Sequence, residues 1–312
     1  MFGIESITTG GVKMKIVIAG GSGFIGQKVT ELLVAQGHSV VILSRKERDP
    51  SGNIEYVRWL EKGSTPEKEI GYADAFINLA GVSINDGRWS KDHQKQIYES
   101  RMTATDELLR IISMLPEKPA VLVNASAIGI YPASTENVYT ENSLETATDF
   151  LGKTVHDWEI KAKQVEDQSI RAVFMRFGVV LGKEGGALPL MALPYRLFVG
   201  GKVGSGQQWV SWVHVTDVVR SIHFAICNDK LSGPVNVTAP SPLQMNDFGK
   251  TIGTVLHRPH WMPVPSFAMK MVLGQKSALV LEGQHVVPRV LQESGFEFKF
   301  PTLRPALEDL LL

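Results

Sequence analysis

The stretch KIVIAGGSGFIG, residues 15–26, constrains the fold of this chain more than any other. After Lys15, residues 16–19 are a short apolar run, bounded by glycine and rich in β-branched side chains. That is the signature of a strand buried on both faces. Behind the glycines, FIGQKVTELLVAQG has the apolar spacing of a helix and closes on Gly37. Gly20, Gly23 and Gly26 therefore mark a strand-to-helix turn. One glycine permits the tight turn, one lets backbone approach a pyrophosphate, and one lets helix pack on strand. The free N–H groups and positive dipole end of the helix favour a phosphate there. A glycine motif alone is weak, but a strand before it and a helix after it supply the context it needs. Phe24 and Ile25, which open the helix, join the three glycines as expected cofactor contacts.

The rest of the chain repeats the pattern. SVVIL (39–43), IEYVRW (54–59), AFINL (75–79), AVLVNAS (120–126) and IRAVFMRF (170–177) read as strands. Helical stretches run from about Ser90 to Leu115 and over about 149–168. Strands alternating with helices predict an α/β fold, a doubly wound parallel sheet of the Rossmann kind. After Gly182 glycine and proline become frequent. WVSWVHV (209–215) and the helix behind it are expected to return to the main sheet, with PVNVT (234–238) as one more strand. Residues 14–182 and 209–238 are thus assigned to a dinucleotide-binding domain. Residues 183–208 and 239–312 form a smaller C-terminal, substrate-side domain. Residues 1–13 carry no apolar periodicity, precede Met14, and read as a dispensable leader.

Composition removes several function classes. Lys and Arg number 32 and Asp and Glu 32, so the balance is neutral and carries no footprint for nucleic acid or an anionic membrane. No apolar run approaches the roughly 20 residues that span a bilayer. The single cysteine, Cys227, excludes an internal disulfide and fits a reducing cytoplasm. The eight histidines show no metal-ligand spacing. The expected partner is a small-molecule substrate, and a homodimer is compatible with this composition.

The choice of dinucleotide falls at the end of the second strand. An acidic residue about 20 positions beyond the glycines would bind the ribose 2′-hydroxyl of NAD. This chain has Ser44, Arg45 and Lys46. A guanidinium suits a 2′-phosphate through charge-assisted hydrogen bonds of about 1.5–3 kcal/mol each. The expected cofactor is NADP.

Several segments together resemble the extended short-chain dehydrogenase/reductase family, the group of NAD(P)-dependent epimerases and dehydratases. They are GGSGFIG at 20–26, NLAG at 78–81, NASAIGIYP at 124–132, RFGVVLG at 176–182 and WVHVTDVVRSI at 212–222. The segments GGKVGSGQQWVSWVHVTD and VPRVLQESGFEFKFP are similar to a branch with its own C-terminal domain. The resemblance implies that Asn78, Leu79, Ala80 and Gly81 lie against the adenine and ribose side of the cofactor. It implies that Ser126 takes the place of the serine that hydrogen-bonds a substrate oxygen. Tyr131 takes the tyrosine that follows it, with Pro132 where the family has glycine. Asp217 matches a structural aspartate.

The family also carries a Tyr-x-x-x-Lys pair on one helical face, where the lysine lowers the tyrosine pKa for acid–base work. No such pair occurs between Ser126 and residue 170. In LGKTVHDWEIKAKQ the register puts Val155 in the tyrosine position and Glu159 in the lysine position. Arg101 replaces the asparagine of the preceding helix. Ser126, Arg101, Glu159 and Tyr131 are therefore the candidate catalytic residues, with Arg101 and Glu159 expected to face each other across the site. No metal is expected. The resulting expectation is an NADP-dependent enzyme performing epimerase- or reductase-like hydride transfer on a small polar, sugar-like substrate. The alternative is a non-enzymatic NADP(H)-binding redox sensor acting through a partner protein.

Overall fold

The computed structural model describes residues 12–87 and 89–312. Residues 1–11 of the expected leader lie outside this range; Val12 and Lys13 are exposed. The centre is a seven-stranded parallel sheet. Its strands are β1 (Lys15–Ala19), β2 (Ser39–Ser44), β3 (Ile54–Arg58), β4 (Ala75–Asn78), β5 (Val121–Ala127), β6 (Arg171–Phe177) and β7 (Gly233–Val237). The spatial order is β3-β2-β1-β4-β5-β6-β7. Connections leave β1 in opposite directions, which opens a crevice at the C-terminal ends of β1 and β4.

The helices that matter here are α1 (Phe24–Ala35), α2 (Lys91–Met114), α3 (Phe150–Lys163) and α4 (Val215–Cys227). Ile16, Ile18, Val40 and Ile42 pack under α1 and α4 through Val29, Leu33, Val218 and Ile222. Val17, Val41, Phe76 and Leu122 point to the other face, against Ala104, Leu108 and Ile111 of α2 and Ala162 of α3. Both faces are covered, which explains why the strands read as continuous apolar runs. Side chains fix the helix starts: Ser90 accepts from the His93 N–H, and Asp149 accepts from the Gly152 N–H at 2.7 Å.

One expectation needs correction. WVSWVHV does not join the main sheet. Trp212–His214 pairs with Val179–Leu181, and Trp209–Val210 pairs antiparallel with Leu243–Gln244. Gly178, just past β6, lets the two segments meet there: a Cβ on it would lie 2.2 Å from the Ser211 carbonyl oxygen, which accepts the Val179 N–H at 2.8 Å. Trp212 is instead fully buried in a separate core with Leu188, Phe248, Ile252 and Leu307. Asp217 couples that core's surroundings to α4: its buried carboxylate accepts the Lys299 and Phe300 N–H groups at 2.8 and 2.9 Å. Near the crevice, Gln275 and Lys276 reach back to Gln94 of α2 and to the carbonyls of Asn85 and Gly87.

Candidate functional site

The glycine turn is as tight as its spacing requires. Gly20 has φ +82°, and a Cβ on it would sit 2.6 Å from the Leu79 carbonyl carbon. The Gly23 N–H donates to the Gly20 carbonyl at 3.0 Å. A Cβ on Gly26 would lie 2.3 Å from that same oxygen, so only glycine lets α1 seat against the turn. No side chain caps α1. Its first-turn N–H groups are the orphan donors that a pyrophosphate satisfies, and the turn fits a dinucleotide. Phe24 and Ile25, the first two residues of α1, bring their backbone N–H groups to this cradle. The Phe24 ring packs onto Gly182, Gly185 and Gly186, and Ile25 packs into the sheet core.

At the end of β2, the Ser44 hydroxyl donates to the Lys46 carbonyl at 2.7 Å and accepts the Lys46 N–H at 3.1 Å. This small turn turns Arg45 and Lys46 outward. Both are exposed, and neither has an ion-pair partner among the described residues. At the end of β4, Leu79 donates to the Ala19 carbonyl at 2.8 Å, which keeps Leu79, Ala80 and Gly81 beside the glycine turn.

Asn78 does not offer its side chain to a cofactor. It is fully buried; its amide donates to Thr105 Oγ1 and Asn124 Oδ1 at 3.1 and 2.7 Å and its oxygen accepts the Ala80 N–H. Its part is to hold the shape of the loop.

The polar cluster lies at the adjacent strand ends. Ser126 of β5 is buried, and its hydroxyl donates to Glu159 Oε1 at 2.5 Å. The same carboxylate accepts two bonds from Arg176 of β6, Nε to Oε1 at 2.9 Å and Nη2 to Oε2 at 2.8 Å. Ser126 and Arg176 are partners in the β5–β6 register, and α3 lays Glu159 over both. Burial works against the Arg176 charge, but its two bonds to Glu159 outweigh that and push its pKa above the ordinary arginine value.

Two of the expected assignments are corrected here. Arg101 does not pair with Glu159; Arg176 does. Tyr131 is not a proton donor to a substrate. It is buried, accepts from Arg176 Nη1 at 2.7 Å and lies within hydrogen-bond distance of the Thr140 carbonyl and Asn236 Oδ1. Burial pushes its phenol pKa up, against the pull of Arg176. Tyr131 buttresses Arg176. Val155, in the place of the family's tyrosine, is buried with Ile128, Ile130 and Tyr139.

The matching family models divide the chain in two. One, the NAD dependent epimerase/dehydratase family, matches residues 16–238. The chain belongs to that family. A second model, a domain of unknown function (DUF1731), matches residues 264–310. Among similar proteins, the epimerase family protein YfhF of Bacillus subtilis is 48% identical over 96% of this chain and 98% of its own. The crystal structure of human epimerase family protein SDR39U1 with NADPH is 34% identical, with a TM-score of 0.85 over 95% of this chain and 99% of that one. A nucleoside-diphosphate sugar epimerase of Corynebacterium glutamicum is 28% identical, with a TM-score of 0.77 over 96% of this chain and 58% of the other. Among the described residues, no helix is long and apolar enough to cross a membrane and no acid, histidine and cysteine cluster has the makings of a metal site.

For an epimerase-family chain, the residue that sequence reasoning missed is Arg176. Its signal was present: in IRAVFMRF, Arg171 stands at the start of the strand, but Arg176 follows four consecutive apolar residues near its C-terminal end. Buried charges of that kind are nearly always paired.

Proposed function

We propose that this epimerase-family protein is an NADP-dependent oxidoreductase. It moves a hydride to or from a carbonyl or hydroxyl carbon of a small polar substrate, with Ser126 and Glu159 handling the proton that the family's tyrosine and lysine handle. The observation that carries this reading is the unbroken chain from Ser126 through Glu159 to Arg176 at the C-terminal edge of β5 and β6.

Hydride transfer is the chemistry a nicotinamide supplies when bound. The chain's own residues handle the proton. The Ser126 hydrogen is committed to Glu159, so its oxygen lone pairs are left to accept the hydrogen of a substrate hydroxyl. As that proton reaches Ser126 Oγ, the serine's own proton passes to Glu159 Oε1. In the reverse direction Ser126 gives its proton to a developing alkoxide and takes one from Glu159. Arg176 holds the carboxylate in both bonds, and Tyr131 holds Arg176. A buried serine–carboxylate–arginine cluster at the C-terminal ends of β5 and β6 supports an enzyme over the sensor alternative.

The test is NADPH oxidation measured against a carbonyl library, sugars included. Turnover is expected in the unaltered protein and should fall at least about 100-fold in Ser126→Ala, the usual weight of a positioned acid–base group. No oxidation with any carbonyl, or an unchanged rate in Ser126→Ala, overturns the assignment.

For the cofactor, support comes from the exposed Arg45 and from NADPH in the human relative. NADPH is expected to bind more tightly than NADH. Arg45→Ala should lower NADPH affinity roughly tenfold while leaving NADH unchanged, read by fluorescence titration. Equal affinities for both dinucleotides in the unaltered protein remove the argument.

A further inference from the structure

Arg101 is the second arginine at this edge, and its circumstances are the opposite of those of Arg176. It stands on α2 directly over Gly81, where a Cβ would lie 3.0 Å from the guanidinium carbon. Its Nη1 donates to the carbonyls of Val82 and Ile97 at 3.1 and 2.9 Å. Its guanidinium lies 5.1 Å from the Trp158 ring centre, a cation–π contact. No carboxylate pairs with it among the described residues. Burial alone lowers its pKa, to about 10, so it stays charged at neutral pH.

A desolvated cation without an anion is costly to keep. The two carbonyls and the indole hold it in place but supply no charge. They also orient it. With Nη1 engaged by the protein, the Nε–H and Nη2–H edge remains, the fork that matches the two oxygens of a carboxylate or phosphate. These nitrogens make no hydrogen bond among the described residues, yet they are not sealed in the interior. Arg101 also stands near the polar cluster, because Trp158, whose ring it contacts, precedes Glu159 on α3. Gly81 follows β4, and β4 pairs with β5 at Asn78 and Asn124, two residues before Ser126.

We propose that Arg101 binds an anionic group of the substrate, a carboxylate or a phosphoryl group, and so restricts the reaction to acidic carbonyl or hydroxyl compounds. This inference rests on the oxidoreductase reading above and names the substrate class for it. It also replaces the expectation that Arg101 is a catalytic residue facing Glu159, because Arg176 holds the place opposite Glu159.

The test uses the full chain saturated with NADPH, so that the glycine turn and Arg45 are already occupied. Melting temperature is followed with malonate, inorganic phosphate or neutral malonamide. At roughly 10 mM, an anion of about millimolar affinity should raise it by about 2 °C. Malonate or phosphate is expected to do so, and malonamide is not; which anion acts separates a carboxylate from a phosphoryl substrate. Arg101→Gln and Gly81→Ala, the latter displacing the guanidinium, should abolish the rise. Arg101→Lys should keep part of it, since the charge survives without the fork. NADPH affinity of Arg101→Gln should stay within about twofold of the original, a difference of little energetic weight. The proposal fails if neither anion stabilises the unaltered protein, or if both stabilise Arg101→Gln equally. It fails as well if Arg101→Gln loses NADPH affinity tenfold or more, which makes Arg101 a cofactor residue. Melting needs no turnover. A protein that responds to the anion through Arg101 but oxidises NADPH with no carbonyl therefore sinks the oxidoreductase reading alone.

Discussion

Glu159→Gln is expected to abolish turnover and to destabilise the protein by about 3 kcal/mol, at the low end for breaking a buried ion pair. In a chain of 312 residues that corresponds to a fall of roughly 5 °C in melting temperature. The carboxylate and Arg176 are each close to buried, with side-chain exposures of 12% and 9%. A glutamine amide leaves Arg176 charged and uncompensated, and turns an N–H₂ group toward a guanidinium that can only donate. The double variant Glu159→Gln with Arg176→Met removes the stranded charge. It should recover most of the lost stability but none of the activity. Thermal melting and NADPH oxidation at a temperature where every variant is folded separate the two effects. A double variant no more stable than Glu159→Gln would show that the ion pair is not the source of the loss.

The second large effect belongs to the glycine turn and has two distinguishable parts. Gly26→Ala places a methyl 2.3 Å from the Gly20 carbonyl oxygen and 2.7 Å from the Gly21 Cα. Both are backbone atoms with no freedom to retreat. The turn must open, and NADPH affinity should fall more than about 100-fold, together with a loss of several degrees in melting temperature. Gly23 differs. Its φ of −77° suits any residue, and a Cβ there meets the Gly20 oxygen only at 3.3 Å. Gly23→Ala should melt within a degree or so of the original while still weakening NADPH at least tenfold, because the methyl occupies space the pyrophosphate needs. Calorimetry of both variants with and without NADPH checks this. Equal destabilisation by the two would mean that Gly23 serves the fold and not the cofactor.

Much of the framework was legible in the sequence because its signals are local. The α2 boundaries follow from Ser90 as a cap and from unbroken helical periodicity to Leu115. The sheet strands follow from short, continuous apolar runs. What could not be read were pairings across elements. A cation opposite Glu159 was expected, and Arg101 and Arg176 were equally available by charge. The choice depends on α3 crossing the ends of β5 and β6, which no spacing encodes. Tyr131 lies five residues beyond Ser126, yet the short turn at Ile128–Ile130 directs it inward onto Thr140 and Asn236. WVSWVHV reads correctly as extended chain, but its partner depends on where β6 ends at Gly178. Asn78 and Asn124 end buried strands, and their meeting needs the β4–β5 register.

The triple contact among Ser126, Glu159 and Arg176 also limits how this chain can change by descent. A single substitution at Glu159 strands a buried positive charge, and one at Arg176 strands a buried negative one. Either intermediate is less stable than both its ancestor and a doubly altered descendant. Such valleys are crossed rarely, because most chains have only a few kcal/mol of stability to lose. A lineage holding this arrangement therefore should not drift back by single steps to a lysine at position 159. Homologues are expected to segregate into those that keep glutamate and arginine together and those that have neither.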